Sequence, residues 1–298
     1  MYLSIIIPFY KGEAFIQPIV SSIVESARIN SLSYKIQIIV VIDSMESQLE
    51  LIKNGLSSFV YPGIKILVVK NAKNLGVAKT RNVGISLAQG DWLLFIDQDD
   101  MVTTDFFRVI HPKALEKSDF VLCNGVIAFE DKIRYRIYYI KPYLSYRHIL
   151  LDDFIRSPGQ VLVRKCILDK LGFPAPSKFH GADDKFCWVQ LFYTNPKLRT
   201  LFIKECLYVA NIHERNFSHD QRNLRLSALD LWEVTLKRFP ALREDKYVKR
   251  NIRLLKYQLN ENVGVERVLG FLENLQYKFR LNKVFRIIVK RWLLMLYR

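Results

Sequence analysis

Over its first hundred residues the chain alternates short apolar runs with longer stretches of helical period. That alternation admits few folds other than a parallel sheet with crossover helices. Leu3 to Ile7 is a continuous β-branched run closed by Pro8, too short for a helix and therefore a buried first strand. Ile36 to Ile42, Ile64 to Val69 and Trp92 to Ile96 repeat the pattern. Ile16, Ile19, Val20, Ile23 and Val24 recur on one face of a helix from Phe15 to about Ala27, with Pro18 in its first turn. Further helices are expected around Glu46 to Val60 and Val77 to Ala88.

After Asp100 the pattern becomes mixed. Strands are expected over Phe120 to Cys123, Tyr135 to Ile140 and Gln160 to Val163, and a short helix over Lys165 to Leu171, ended by Gly172. From about Asp220 to Arg298 nearly everything is compatible with helix. The expected organisation is one α/β domain over residues 1–219 and a helical extension over 220–298. With 298 residues, half of them apolar, a sizeable core is assured. The formal net charge of +16 calls for an anionic partner: nucleic acid, a membrane or a phosphorylated substrate. Cys123, Cys166, Cys187 and Cys206 lack zinc-site spacing and read as buried, reduced thiols. No run reaches the ~18 apolar residues of a membrane span, and no leader is recognisable, so a cytoplasmic protein is expected, resting at most on a membrane surface.

The strongest chemical signal is Asp91-Trp92-Leu93-Leu94-Phe95-Ile96-Asp97-Gln98-Asp99-Asp100, a buried strand that ends in three carboxylates. Ligands of open α/β sheets bind at the carboxyl ends of strands, and carboxylate oxygens suit Mg²⁺ or Mn²⁺ held jointly with phosphates. The same residues also suit a polar turn in which Asp99 or Asp100 caps a helix starting near Thr103. Three further stretches share the sheet-edge placement. Ser4 to Glu13 puts an aromatic, Tyr10, and an acid, Glu13, just after the first strand, and Ile38 to Ser44 ends the second strand in Asp43. Asn74 to Gly84 opens a helix with cations, as a diphosphate requires.

In this order and spacing the four stretches resemble glycosyltransferase family 2 over roughly residues 3 to 218. The pattern of that family runs S-I-I-I-P-x-Y-N-x-E, I-I-V-V-D-D-G-S, N-x-G-x-x-x-A-R-N-x-G and D-x-D-D. The resemblance implies a GT-A fold, a Rossmann-like mixed α/β sheet flanked by helices, here with a helical C-terminal extension. It implies that Pro8, Tyr10, Glu13, Asp43, Asn74, Arg81 and Asp97 line the nucleotide and that Asp99 holds a metal ion, Mn²⁺ or Mg²⁺. His180-Gly181-Ala182-Asp183-Asp184-Lys185-Phe186-Cys187-Trp188 stands where the family has Glu-Asp before an aromatic helix. Asp184 thereby matches the general base and Asp183 the preceding acid; either also suits a helix cap. His213, with Asn216 and Ser218, resembles the H-x-x-N-x-S segment that reaches the metal or diphosphate. The chain departs from the pattern at Lys11, at Ile42, at Ser44-Met45-Glu46, and at Ala210-Asn211, where the family has Tyr-Arg.

The implied activity is inverting transfer of a sugar from a nucleoside-diphosphate donor, expected to be UDP-linked, to an acceptor hydroxyl of a surface polysaccharide, lipopolysaccharide or lipid-linked glycan. A nucleotidyltransferase would share the sheet and the acids, but a Gly-rich phosphate loop of that type is missing near the N-terminus. A nucleic-acid binder would explain the charge, but neither an RNA-binding motif nor zinc-finger spacing is present. The segment Phe279 to Arg298 has six cations and no acid, with Leu281, Val284, Phe285, Ile288, Trp292 and Met295 on one side of a helix. Such a face suits an anionic membrane surface, or else packing on the domain.

Overall fold

Continuous apolar runs need burial on both faces, and a parallel sheet covered by helices supplies it. The computed structural model describes residues 2–129, 132–151, 154–213, 220–261 and 264–278. In it the four runs form β1 (Leu3–Phe9), β2 (Ile36–Ile42), β3 (Ile64–Lys70) and β4 (Trp92–Phe95), parallel and in spatial order β3-β2-β1-β4. Helices α1 (Glu13–Ile29), α2 (Leu49–Leu56) and α3 (Val77–Leu87) are the crossovers. Odd-numbered β1 residues, Leu3, Ile5, Ile7 and Phe9, join the cluster that holds Ile16, Ile19, Val20 and Ile23 of α1. Ile6 points to the opposite face, where α3 lies so close that a Cβ on Gly84 would stand 2.3 Å from the Ile6 Cγ2.

β1 outlasts the stop expected at Pro8. The Ile6 carbonyl accepts from the Ile96 N–H, so the backbone of even-numbered β1 residues faces β4. Because β4 ends at Phe95, the N–H that Pro8 lacks falls where no strand remains to receive it.

The chain then adds β5 (Met101–Val102), α4 (Phe106–Val109), α5 (Pro112–Leu115), β6 (Phe120–Phe129), β7 (Lys132–Arg136), α6 (Tyr146–Leu151), β8 (Val161–Arg164), α7 (Lys165–Leu168), α8 (Asp183–Thr194) and β9 (Thr200–Ile212). The full sheet runs β3-β2-β1-β4-β8-β6-β9-β5, with β7 paired to β6. β8 is antiparallel to both β4 and β6, β9 is parallel to β6, and β5 is antiparallel to β9. This is the mixed sheet expected of a GT-A fold.

Several boundaries differ from expectation. The strand expected over Tyr135 to Ile140 ends at Arg136, because the Asn124 side chain takes over from the ladder: its Oδ1 accepts from the Tyr138 N–H (3.0 Å) and its Nδ2 donates to the Tyr138 carbonyl (2.9 Å). No helix begins near Thr103; β5 intervenes, and α4 starts at Phe106. All four thiols are free, but of the four expected to be buried only Cys123 and Cys187 are: Cys206 is part-buried and Cys166 is exposed on α7.

The chain divides into two compact units, Met1–Ala175 with Asp184–His219 and Pro176–Asp183 with Asp220–Arg298. The second contains α9 (Gln221–Arg238), α10 (Lys246–Gln258) and α11 (Gly264–Lys278). Asp220 and Asp245 cap α9 and α10 by accepting from backbone N–H groups. Residues 176–183 are bound to α9 through buried Asp230, which accepts from the Ser177 N–H (2.6 Å), the Ser177 hydroxyl (2.5 Å) and the Lys178 N–H (2.7 Å). Burial alone would raise the Asp230 carboxyl; these bonds outweigh it and hold the group below its ordinary range. Among the described residues no helix is long and apolar enough to cross a membrane.

The Gly84 contact is testable. Gly84→Ala is expected to lower stability by about 1–3 kcal/mol in urea titration, and the loss in Gly84→Ala/Ile6→Ala should be smaller than the sum of the two single losses.

Candidate active site

The parallel strands β1, β2 and β4 deliver their following loops to one edge of the sheet, the edge at which open α/β sheets bind ligands. After β1, the Tyr10 backbone is held on both sides by Gln98: its N–H donates to Gln98 Oε1 (2.7 Å) and its carbonyl accepts from Nε2 (3.0 Å). The Tyr10 ring stays half-exposed, available for stacking. Glu13 accepts from the Ser47 hydroxyl (2.5 Å), lacing the loops after β1 and β2. Lys11 and Glu46, two departures from the family pattern, meet each other at 3.0 Å.

Asp43, buried at the end of β2, accepts from Asn71 Nδ2, the Leu75 N–H and the Gly76 N–H, each at 2.8 Å. Asn74 Oδ1 also accepts from the Gly76 N–H (3.0 Å), so Asp43 and Asn74 together shape the turn into α3. A carboxylate offers about four lone-pair sites, which leaves room for one more donor. Arg81, one turn into α3, pairs with Asp97 (2.7 Å) and lies over the Phe173 ring at 5.3 Å. Pro8 is buried in β1.

The acidic loop after β4 is fastened to β9, 108 residues or more away in sequence. The buried Asp100 carboxyl accepts from the Tyr208 hydroxyl and from the Asn211 N–H (3.0 Å), and Asn211 Nδ2 donates to the Asp99 carbonyl (2.7 Å). Gly159 clears the space for the Tyr208 ring, since a Cβ there would stand 2.4 Å from it. Asp99 Oδ2 faces His213 Nε2 at 2.9 Å, and the His213 ring stacks on Phe15 with centroids 5.4 Å apart. Burial, then the charge of Asp97, raises the Asp99 carboxyl; burial, then Asp99 and Asp97, raises Asp100 well above the ordinary range. Neither acid caps a helix here, because the segment that follows is a strand.

A carboxylate oxygen and an imidazole nitrogen that already face each other fit Mn²⁺ or Mg²⁺, the remaining positions being left to diphosphate oxygens and water. Among the described residues no group of three or more His, Cys, Asp or Glu is placed to hold a metal ion.

Asp183 and Asp184 open α8 directly after Gly181 and Ala182, both of which have positive φ (106° and 53°). For Ala182 that is a strained conformation. Asp184 Oδ1 accepts from the Lys185 N–H (2.7 Å), and Asp183 is buried. One turn on, Trp188 meets Phe120 and Phe173 edge-on, and Phe173 in turn packs on Phe95, two residues before Asp97. Residues four apart share a helix face, so Asp184 lies on the Trp188 side of α8. Asn216, Ser218 and the segment Phe279 to Arg298 lie outside the described residues. Gln98, Phe15, Phe173 and Tyr208 were not legible as site residues. Of these only Gln98 had a local cue, its place between two of the acids.

A model of the family described as Glycosyl transferase family 2 matches residues 4–172, more than half of the chain. The chain belongs to that family. Bacillus subtilis (strain 168) EpsH is 26% identical over 176 residues, covering 56% of this chain and 51% of EpsH. The chain thus aligns with about half the length of that relative. S. aureus TarS residues 1–349, solved with UDP-GlcNAc, has the same fold, with a TM-score of 0.61, 16% identity, and 93% of this chain and 92% of that one covered. The Pyrobaculum calidifontis mannosyltransferase PcManGT, solved with GDP-Man and Mn²⁺, gives a TM-score of 0.53 at 14% identity, covering 97% and 83%. The GT-A architecture of this family 2 chain is therefore shared with proteins that hold different nucleotides.

The Asp100 clasp predicts a pH-dependent gain on substitution. A carboxyl whose folded pKa is raised contributes stability that is full below its unfolded pKa, about 3.9, and is lost as pH rises through the folded value. Asp100→Asn keeps the shape and removes the ionisation. Its thermal midpoint should exceed that of the parent by about 2 °C or more at pH 8, and by less at pH 5.

Proposed function

We propose that the chain is an inverting glycosyltransferase that moves a sugar from a UDP-linked donor to a hydroxyl of a surface polysaccharide, lipopolysaccharide or lipid-linked glycan, working at the inner face of the cytoplasmic membrane. The observation that carries this reading is the convergence of Arg81, Asp97, Asp99 and His213 at one edge of the sheet, beside the half-exposed Tyr10. TarS bound to UDP-GlcNAc and PcManGT bound to GDP-Man with Mn²⁺ support a nucleotide-sugar donor on this fold.

In this reading Tyr10 stacks on the base, Glu13 and Asp43 accept from ribose or base donors, and Asp97 orients the donor while Arg81 balances its charge. Asp99 and His213 would hold a divalent cation, which when bound neutralises charge on the departing diphosphate. Asp184 accepts the proton of the acceptor hydroxyl as that oxygen bonds to the anomeric carbon and the carbon–oxygen bond to the diphosphate breaks. One displacement inverts the anomeric centre, and no glycosyl-enzyme forms. Release of a nucleoside diphosphate, rather than pyrophosphate, separates this reaction from nucleotidyl transfer.

Asp184→Asn should reduce transfer by about 10²–10⁴-fold with donor affinity nearly unchanged, since the base touches the acceptor; retention of more than about a tenth of the activity would transfer the role to Asp183. Calorimetry of Asp99→Ala with UDP and Mn²⁺ should show loss of metal-dependent nucleotide binding, and unchanged affinity would reduce the acidic loop to a polar turn. For the membrane, the full chain should sediment with anionic vesicles and a chain ending at Gln276 should do so less.

A further inference from the structure

Between Lys132 and Leu151 the chain carries five Lys or Arg and five Tyr, with no Asp or Glu. None of these residues belongs to the site above. The segment is well fastened: the Ile137 N–H donates to the Gly125 carbonyl (2.9 Å), Asn124 holds both backbone groups of Tyr138, and the Tyr138 hydroxyl donates to the Phe154 carbonyl (2.6 Å). Ile137 packs against the core. The next residues do the opposite. Tyr139 is 79% exposed, Ile140 85% and Tyr143 70%, with Lys141 exposed among them. Single exposed apolar residues need no explanation, but three within five positions, following a backbone braced at Ile137 and Tyr138, with Tyr143 set against the His148 ring (4.7 Å) and Arg136 and Lys141 exposed nearby in sequence, mark a contact surface.

We infer that Tyr139, Ile140 and Tyr143 form a contact with an anionic lipid surface, carried by the catalytic unit itself and separate from the C-terminal segment. The inference rests on the membrane setting proposed above. Tyrosine rings settle at the level of lipid headgroups, and Lys or Arg beside them is attracted by anionic lipid. Ile140, 85% exposed, favours lipid over a sugar platform, because the C–H face of a sugar ring covers an isoleucine only in part, whereas the boundary of headgroup and acyl chain buries it. The net charge of +16 has the matching sign.

The test compares the full chain with the full-length variant Tyr139→Ser/Ile140→Ser/Tyr143→Ser, using vesicles of equal phosphatidylglycerol and phosphatidylcholine. The expected result is a vesicle partition coefficient lowered by about tenfold, with thermal midpoint and calorimetric affinity for UDP and Mn²⁺ unchanged. If the parent pellets and the variant pellets equally, this surface is not a lipid contact, while the membrane setting stands. If the parent itself does not pellet at low salt, the membrane setting falls and this inference with it. Unchanged pelleting with a raised KM for a soluble glycan acceptor would instead make the patch an acceptor platform and overturn the lipid assignment.

Discussion

The site depends on a buried carboxyl clasped from a distant strand. β4 ends at Phe95, and nothing in the ladder fixes the four residues from Asp97 to Asp100. Arg81 holds Asp97, Gln98 bonds to the Tyr10 backbone, and Asp100 turns inward to accept from the Tyr208 hydroxyl and the Asn211 N–H, while Asn211 also donates to the Asp99 carbonyl. A buried carboxyl without donors would be strongly unfavourable, so the loop has few other conformations open to it. Asp100, which in the sequence reads as one of three carboxylates or as a helix cap, is thus the fastening for the loop that carries Asp99.

That fastening gathers three carboxyls into one short loop. Burial and the charge of Asp97 raise the Asp99 carboxyl, and burial with the charges of Asp99 and Asp97 raises Asp100. Arg81 offsets one of them and His213 faces another. In the proposed function a divalent cation at Asp99 and His213 would relieve the repulsion among these carboxyls and favour the approach of a diphosphate. The aromatic contacts keep the parts in register: Phe15 sets the plane of His213, and Phe173 lies between Arg81, Phe95 and Trp188.

The departures from the family pattern make sense in three dimensions. Lys11 and Glu46, each atypical in its own loop, form an ion pair across the loops, and Ser44 donates to Glu46 as well (3.1 Å). At this exposure the pair biases the two loops without locking them. Asn211, standing where a cation is usual, serves the acidic loop instead of a phosphate.

Local sequence determined the first half of the fold, because strands buried on both faces must be continuous apolar runs and their crossover helices must show a 3.6-residue period. It also marked the acids after β4 and the turn into α3, whose residues are neighbours along the chain. It did not determine the role of Asp100, the partner of His213, the Asn124 side chain that ends β7, or the outward presentation of Tyr139 and Ile140. Each of these rests on contacts between residues far apart in sequence, or on which side of a backbone faces solvent. Periodicity reports only the company a residue keeps within a few positions; which buried groups meet is decided when the sheet closes and every donor and acceptor removed from water must find a partner.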